Sequence, residues 1–194
     1  LYADYLIRRA RPDISLRVIE QNPPDATFGF GVVFSDQALS FLREDDPETH
    51  DAIVPHMQRW SDIILNHDGK AIRLDGIGFA AIGRLHLLQL LQARAASAGI
   101  EPEWNRHLDN LDALQGADLI IGADGLNSLV RQSDPRAFGE SLSHLNNRFV
   151  WYGVDREFDA LTQTFRRHDG GFFNAHHYRY APGKSTFIVE CDAP

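Results

Sequence analysis

Hydrophobic and polar positions follow two rhythms along this chain, and the change between them organises it. Tyr2, Leu6 and Ala10 recur every four residues, which predicts a first helix. Arg8, Arg9 and Arg11 suit its negative end, and Pro12 stops it. Residues 15–19 alternate and are β-prone, predicting a strand that ends at Glu20 before a loop at 22–25. Residues 28–34 are apolar with glycines at 29 and 31, a pattern expected where backbone runs close to something flat. Asp36 predicts the cap of a short helix through Leu42, and Asp46 the cap of a helix over 47–56. His67-Asp68-Gly69 predicts a hairpin turn between 62–66 and 70–74, because Asp-Gly accepts the positive φ that such turns need.

Residues 84–98 return to the helical period. Leu85, Leu88, Gln92 and Ala95 fall on one face with Leu87 and Leu91 beside it, and Gly99 ends the run. A strand is expected at 100–104. Residues 118–121, a short apolar run between polar ends, predict a buried parallel strand leading into Gly122-Ala123-Asp124-Gly125, with a helix starting at 127–131. Beyond Asn146 strict alternation takes over at 148–154, 161–167, 172–180 and 185–191, the last two joined by a turn at 181–184. That pattern predicts an antiparallel sheet and a domain boundary near residue 145. The chain opens at Leu1 inside a helical pattern and stops just after a strand pattern, which reads as a piece of a longer chain.

Composition narrows the classes. The chain has 194 residues, 43% hydrophobic and 24% charged, the balance of a folded globular protein. A chain this long removes roughly 70% of its unfolded surface from water and needs no metal or disulfide to fold. No apolar run reaches membrane-spanning length, and no signal peptide is present, so neither a membrane nor secretion is expected. A single cysteine, Cys191, fits a reducing, cytoplasmic setting. A net charge of −8 with scattered arginines argues against nucleic acid as a partner.

Three places carry candidate chemistry. A carboxylate at a strand end after a helix can accept two hydrogen bonds from a ribose diol, which suits Glu20; a solvated strand end reads the same way. In Gly122-Ala123-Asp124-Gly125 the glycines permit close approach to a ligand, while Asp124 can accept from a hydroxyl or simply cap the following turn. Arg84 opens a helix where its charge opposes the dipole, so either a bound anion or plain surface exposure accounts for it. His176 and His177 are adjacent on a predicted strand and point to opposite sides, so no metal site is expected. No Gly-x-Ser-x-Gly or His-Glu-x-x-His motif is present, and no protein nucleophile is assigned.

At these three places the sequence resembles the class A FAD-dependent aromatic hydroxylases. Residues 15–20 look like that family's second strand with its ribose-binding acid. Arg84 with Leu85, Leu88 and Leu91 looks like its arginine-led helix. Ile120 to Arg131, with Gly122-Ala123-Asp124-Gly125 inside it, is similar to its Asp-Gly motif. Residues 28–33, 175–180 and 185–191 resemble the branch that contains salicylyl-CoA 5-hydroxylase and 2-aminobenzoyl-CoA monooxygenase. The Gly-x-Gly-x-x-Gly loop and the late Gly-Asp motif of the family are absent from these residues.

The resemblance implies an α/β fold. It consists of a glutathione-reductase-type FAD-binding domain over 1–145, lacking its first strand and phosphate loop, followed by the start of a β-rich substrate domain over 146–194. It implies FAD as cofactor, NAD(P)H as co-substrate, and O₂ with a small aromatic compound, such as an aryl-CoA thioester, as substrates. Hydroxylation would then pass through a flavin C4a-hydroperoxide, with the present residues expected to be inactive alone. A non-catalytic folded fragment and a flavin-dependent reductase without oxygen insertion are the alternatives. Glu20, Arg84, Gly122, Asp124 and Gly125 are the implied cofactor contacts. A hairpin through 181–184 is expected to pair Tyr180 with Ser185, Tyr178 with Phe187 and His176 with Val189. That register puts His176 and Tyr178 on an aromatic face suited to the substrate, although Tyr178 and Phe187 would equally serve as core.

Overall fold

The computed structural model describes residues 1–192. Helix α1 (Tyr2–Ala10) forms where the four-residue spacing predicts it. Strand β1 (Gly31–Ser35) runs directly into α2 (Asp36–Asp45). The cap of α2 is Ser35, not Asp36: Ser35 Oγ accepts from the Ala38 amide at 3.1 Å, and Asp36 already lies inside the helix, one position too late. Helix α3 (Pro47–Ile53) does start on Asp46, and it tightens into a 3-10 turn at Val54–His56. Strand β2 (Gln58–Trp60) precedes a hairpin of β3 (Ile63–His67) and β4 (Lys70–Leu74), whose turn residues Asp68 and Gly69 both take positive φ. Strand β5 (Phe79–Gly83) leads into α4 (Arg84–Ser97), and Gly99 follows at φ +72°.

A short α5 (Leu129–Ser133), capped by Ser128, precedes four strands. These are β6 (Arg148–Val154), β7 (Leu161–His168), β8 (Gly171–Ala181) and β9 (Lys184–Cys191). They form a six-stranded sheet in the order β4-β3-β7-β8-β9-β6, and β1-β5-β2 form a second sheet of three strands. The larger sheet is not wholly antiparallel. Its β3–β7 pair is parallel, which ties the early hairpin to the late strands.

Contact density divides the chain into two compact units. The larger holds Leu1–Leu16, Asp25–Glu101 and the residues from Asn146 onward, so it takes in sequence from both sides of position 145. Alternation along β5 serves two clusters within it. Ala80 and Ile82 pack with Leu39, Ile53 and Met57, whereas Ala81 packs with Trp60, Ala160 and Tyr178. Helix α4 turns Leu87, Leu90 and Leu91 to the first cluster, a stripe rotated from the expected row of Leu85, Leu88 and Gln92. Both stripes have helical spacing, and packing partners decide between them.

The smaller unit holds Arg17–Pro24 and Pro102–Leu145. The strands expected at 15–19 and 100–104 shrink here to one parallel bridge, Ile19 to Glu103. The strand expected at 118–121 does not form, and its side chains are exposed, with Leu119 at 75%. No strand pairs with it among the described residues, so its backbone groups are left to water. β-propensity without a neighbouring ladder does not make a strand.

Candidate functional site

In the larger unit, the loop before β1 and strand β6 interlock through two glycines and two rings. Gly29 takes φ +97°, and a Cβ there would lie 2.3 Å from Trp151 Cη2. Reciprocally, a Cβ on Gly153 would lie 2.6 Å from Phe30 Cε1. The two rings meet edge-on with centroids 6.2 Å apart. The flat objects that residues 28–34 run against are thus the indole of Trp151 at Gly29 and the ring of Tyr180 at Gly31. The Arg84 amide donates to the Phe30 carbonyl at 2.8 Å, fixing the start of α4 to this loop. The Arg84 guanidinium carbon stands 5.6 Å from the Trp151 ring centroid, and its Nε is buried with no hydrogen-bond partner. A buried N–H donor without a protein acceptor can take an oxygen from a water or a ligand.

The β8–β9 hairpin differs from the expected register by one residue. Tyr178 pairs with Thr186, His177 with Phe187, and His176 with Ile188, because a bulge between Arg179 and Ala181 absorbs one position. A one-residue slip moves a whole strand to the other face, so Phe187 joins His177 instead of Tyr178. Tyr178 is 7% exposed and donates from its hydroxyl to the Gly31 carbonyl at 3.0 Å, which binds β8 to β1. Burial pushes its phenol up. His176 is half-buried, and burial holds its imidazole below the ordinary range against the opposing pull of the Glu190 carboxylate. On the other face the His177 ring is tilted against Phe158, with centroids 3.8 Å apart, and stacked on Phe187 at 5.2 Å. Burial, then the charges of Arg156 and His176, push His177 down to about 4.

Within the smaller unit, Glu20 donates its amide to the Glu103 carbonyl at 3.0 Å, and its Oε1 accepts from both the amide and the Nδ2 of Asn22 at 2.8 Å. The Asp124 carboxylate accepts from the Leu129 amide at 2.6 Å and so caps the approach to α5. Burial pushes its carboxyl up, but hydrogen bonds from Ser128 and from backbone amides outweigh this and hold it below the usual range. Gly122 leaves no room for a side chain, since a Cβ would lie 2.6 Å from that of Val130, and Gly125 takes φ +79°. Glu20, Gly122, Asp124 and Gly125 therefore share the smaller unit, whereas Arg84, His176 and Tyr178 stand in the larger.

Sequence reasoning missed Trp151, Phe30 and Phe158. The signal for the first two was a glycine one or two residues from a ring in each segment, Gly29 before Phe30 and Gly153 after Trp151, but it becomes legible only once the two segments are known to face each other. Among the described residues no cluster of His, Cys, Asp and Glu is arranged to hold a metal ion, and no helix is long and apolar enough to cross a membrane.

No family model matches the chain. It is 38% identical, over all of its length, to a salicyloyl-CoA 5-hydroxylase of Streptomyces sp, of which it covers 37%. It is 30% identical over 98% of its length to the 3-hydroxy-4-methyl-anthranilyl-[aryl-carrier protein] 5-monooxygenase of Streptosporangium sibiricum, covering 53% of that protein. It is 28% identical to the protodeoxyviolaceinate monooxygenase of Chromobacterium violaceum, covering 50%. Among solved structures, 2-methyl-3-hydroxypyridine-5-carboxylic acid oxygenase superposes with a TM-score of 0.79 at 18% identity, over 98% of this chain and 56% of that one. PqsL of P. aeruginosa, in complex with 2-aminobenzoylacetate, superposes with a TM-score of 0.71 at 13% identity, over 96% of this chain and 56% of that one. The fold is thus that of part of these oxygenases. The chain spans about half or less of the length of the curated relatives, and along nearly all of its own length it is similar to enzymes named as a hydroxylase and as monooxygenases.

Proposed function

We propose that these residues belong to an FAD- and NAD(P)H-dependent monooxygenase that hydroxylates a small aromatic substrate carried as a thioester. The observation that carries this reading is the match of the whole chain to an enzyme named for a salicyloyl-CoA substrate, supported by a second relative named for an aryl group on a carrier protein. In this reading residues 1–145 supply a glutathione-reductase-type FAD domain, and residues 146–194, with the β3–β4 hairpin added to their sheet, begin the substrate domain.

The residues present fit the cofactor at the point where the structure offers a test, the buried and unpartnered Nε of Arg84. Arg84 would face a negative or carbonyl oxygen of the dinucleotide. Glu20 would accept from the ribose diol, since a carboxylate has acceptor sites beyond those that Asn22 uses. Gly122 and Gly125 would let backbone approach the cofactor, while Asp124 holds their turn in shape. FAD, when bound, supplies electron transfer from NAD(P)H and the activation of oxygen. The protein's part is to place the ring and keep water away. His176 and Tyr178 would serve the substrate side, His176 by direct contact and Tyr178 by fixing β8 to β1 through its bond to Gly31.

The 194 residues contain no Gly-x-Gly-x-x-Gly loop to cradle the diphosphate, so by themselves they are expected to bind FAD weakly and to show no turnover. A chimera tests the activity. These residues replace the matched 193-residue stretch of the Streptomyces salicyloyl-CoA 5-hydroxylase, and the product is analysed under ¹⁸O₂ with FAD and NAD(P)H. A folded chimera that retains flavin and places one labelled oxygen on the aromatic ring supports the reading. A folded chimera without flavin contradicts it, and NAD(P)H oxidation without labelled product points to a reductase.

A further inference from the structure

We propose that the outer end of the six-stranded sheet binds a phosphopantetheine arm, the carrier of an acyl thioester, along Phe165 and Asn174 with its phosphate at Arg167. The proposal deepens the reading above, and rests on it for the thioester and for the aromatic ring at His176. A cavity of about 570 Å³ lies at this end of the sheet, lined wholly by residues of the larger unit. Its floor is one cross-strand row. His67 on β3, Phe165 on β7, Asn174 on β8 and Glu190 on β9 are direct register partners, so all four side chains stand on one face. Arg167 and Phe172 pair in the next row outward and share that face, with the guanidinium carbon 4.6 Å from the ring centroid. The next row inward holds His176. The cavity therefore begins two residues from the proposed aryl contact, and from His176 the face runs on for about 14 Å to Phe172.

The chemistry along this track changes in the order that such an arm needs. Asn174 Oδ1 is buried without a hydrogen-bond partner among the described residues, so its missing partner is a donor. An amide of the arm supplies that N–H and offers its own carbonyl to the Asn174 side-chain nitrogen. Phe165 and Phe172 leave ring surface exposed beside it, which suits the methylene and methyl groups between the arm's polar groups. Arg166 and Arg167 both line the cavity, and neither makes an ion pair or a side-chain hydrogen bond among the described residues. The carboxylates in the cavity wall lie elsewhere. Asp192 accepts from the Phe172 amide at 2.8 Å, Asp68 lies 3.7 Å from His67 Nδ1, and Glu190 stands on the β9 side of Asn174. Positive charge without a counter-ion is thus on β7, where a phosphate takes forked bonds from a guanidinium. The arm is common to coenzyme A and to carrier proteins, the two forms that the relatives' names give.

Calorimetric titration of the full chain with pantetheine, phosphopantetheine and coenzyme A tests the site. Wild type should bind phosphopantetheine at least about fivefold more tightly than pantetheine, the worth of a phosphate contact at an exposed arginine. Arg167→Gln should abolish that preference and leave both pantetheine binding and melting unchanged, a result that a merely structural arginine would not give. Asn174→Ala should weaken both probes by about fivefold, the loss of one hydrogen bond. Should Asn174→Ala melt differently, Arg167→Gln carries the test alone. Coenzyme A bound as tightly as phosphopantetheine keeps its nucleotide outside the cavity and assigns the arm to a carrier protein. Tighter binding of coenzyme A brings the nucleotide in and assigns the free thioester. A phosphate preference that survives Arg167→Gln, or no binding of phosphopantetheine by wild type, overturns the proposal. FAD titrated in parallel separates it from the flavin reading. Binding of the arm without FAD leaves the site standing and the flavin reading fallen, and binding of FAD without the arm does the reverse.

Discussion

His177 and Phe187 stack with ring centroids 5.2 Å apart and planes only 5° from parallel. The pair exists because the β8–β9 ladder is shifted by the bulge before Ala181, and it places a titratable ring in a cluster with Phe187 and Phe158, whose own centroids are 6.2 Å apart. Its Nδ1 is buried without a partner. Protonation would add charge to an aromatic cluster that offers this nitrogen no acceptor.

Stability should therefore depend on pH. The folded chain holds His177 down to about 4, below its ordinary value of 6.5, so the unfolded chain takes up the proton first as pH falls. The contribution is intact above pH 6.5 and is lost progressively as pH drops towards 4. After allowance for the partial exposure of the ring, it amounts to about 1 kcal/mol. Urea unfolding at pH 7 and pH 5 should show this loss in wild type and a shallower one in His177→Phe. Equal slopes would remove His177 as the cause.

The glycines of the interlock should respond unequally. Gly29→Ala meets both positive φ and the Trp151 ring, and should cost about 2 kcal/mol or more. Gly153→Ala meets only the Phe30 ring, and a side chain can shift where a strained backbone cannot, so about 1 kcal/mol is expected. Thermal melts read the difference, and tryptophan fluorescence should report Trp151 moving in both. A harmless Gly29→Ala would mean that the loop does not press on the indole.

Asp46 joins three helices from a fully buried position. It caps α3 at the Thr49 amide, accepts from Arg9 Nη1 at 2.8 Å and accepts from the Tyr2 hydroxyl at 3.2 Å. Asp46→Ala leaves all three donors unpaired and should cost about 3–5 kcal/mol. Asp46→Asn retains an acceptor for the cap and should cost less. Denaturant titration of the two variants checks the order.

Tyr178→Phe deletes the bond to the Gly31 carbonyl and should lower stability by about 1 kcal/mol. His176→Ala, at a half-buried position, should leave stability nearly unchanged while weakening the binding of an aromatic acid such as salicylate. Melting and titration of both variants separate a residue that holds β8 against β1 from one that faces the ligand. If His176→Ala binds salicylate as wild type does, the face does not receive substrate.

Local rules made much of this fold legible. The Asp46 cap, the Asp68-Gly69 turn and Gly99 after α4 all depend on neighbours within a few residues, and sequence spacing exposes them. The shifted ladder of β8 and β9 was hidden, because Tyr180 carries no mark of a bulge and the turn alone implied a regular register. Residues 118–121 mislead for a different reason: a strand is made by its partners, and a run of Leu and Ile says nothing of who they are. Among the candidate residues, Glu20, Asp124 and Arg84 stand out by type and position. Trp151 does not, since its role depends on Gly29, far away in sequence and pressed against it in space.

Titration of FAD into the purified chain, followed by quenching of flavin fluorescence and repeated with Glu20→Ala, tests the central claim most directly. Weak but saturable one-to-one binding is expected, with a further weakening of about 10- to 150-fold in the variant, the worth of charge-assisted bonds to a ribose. Circular dichroism should show both proteins folded. No saturable binding by wild type, or the same affinity with and without the Glu20 carboxylate, would contradict it.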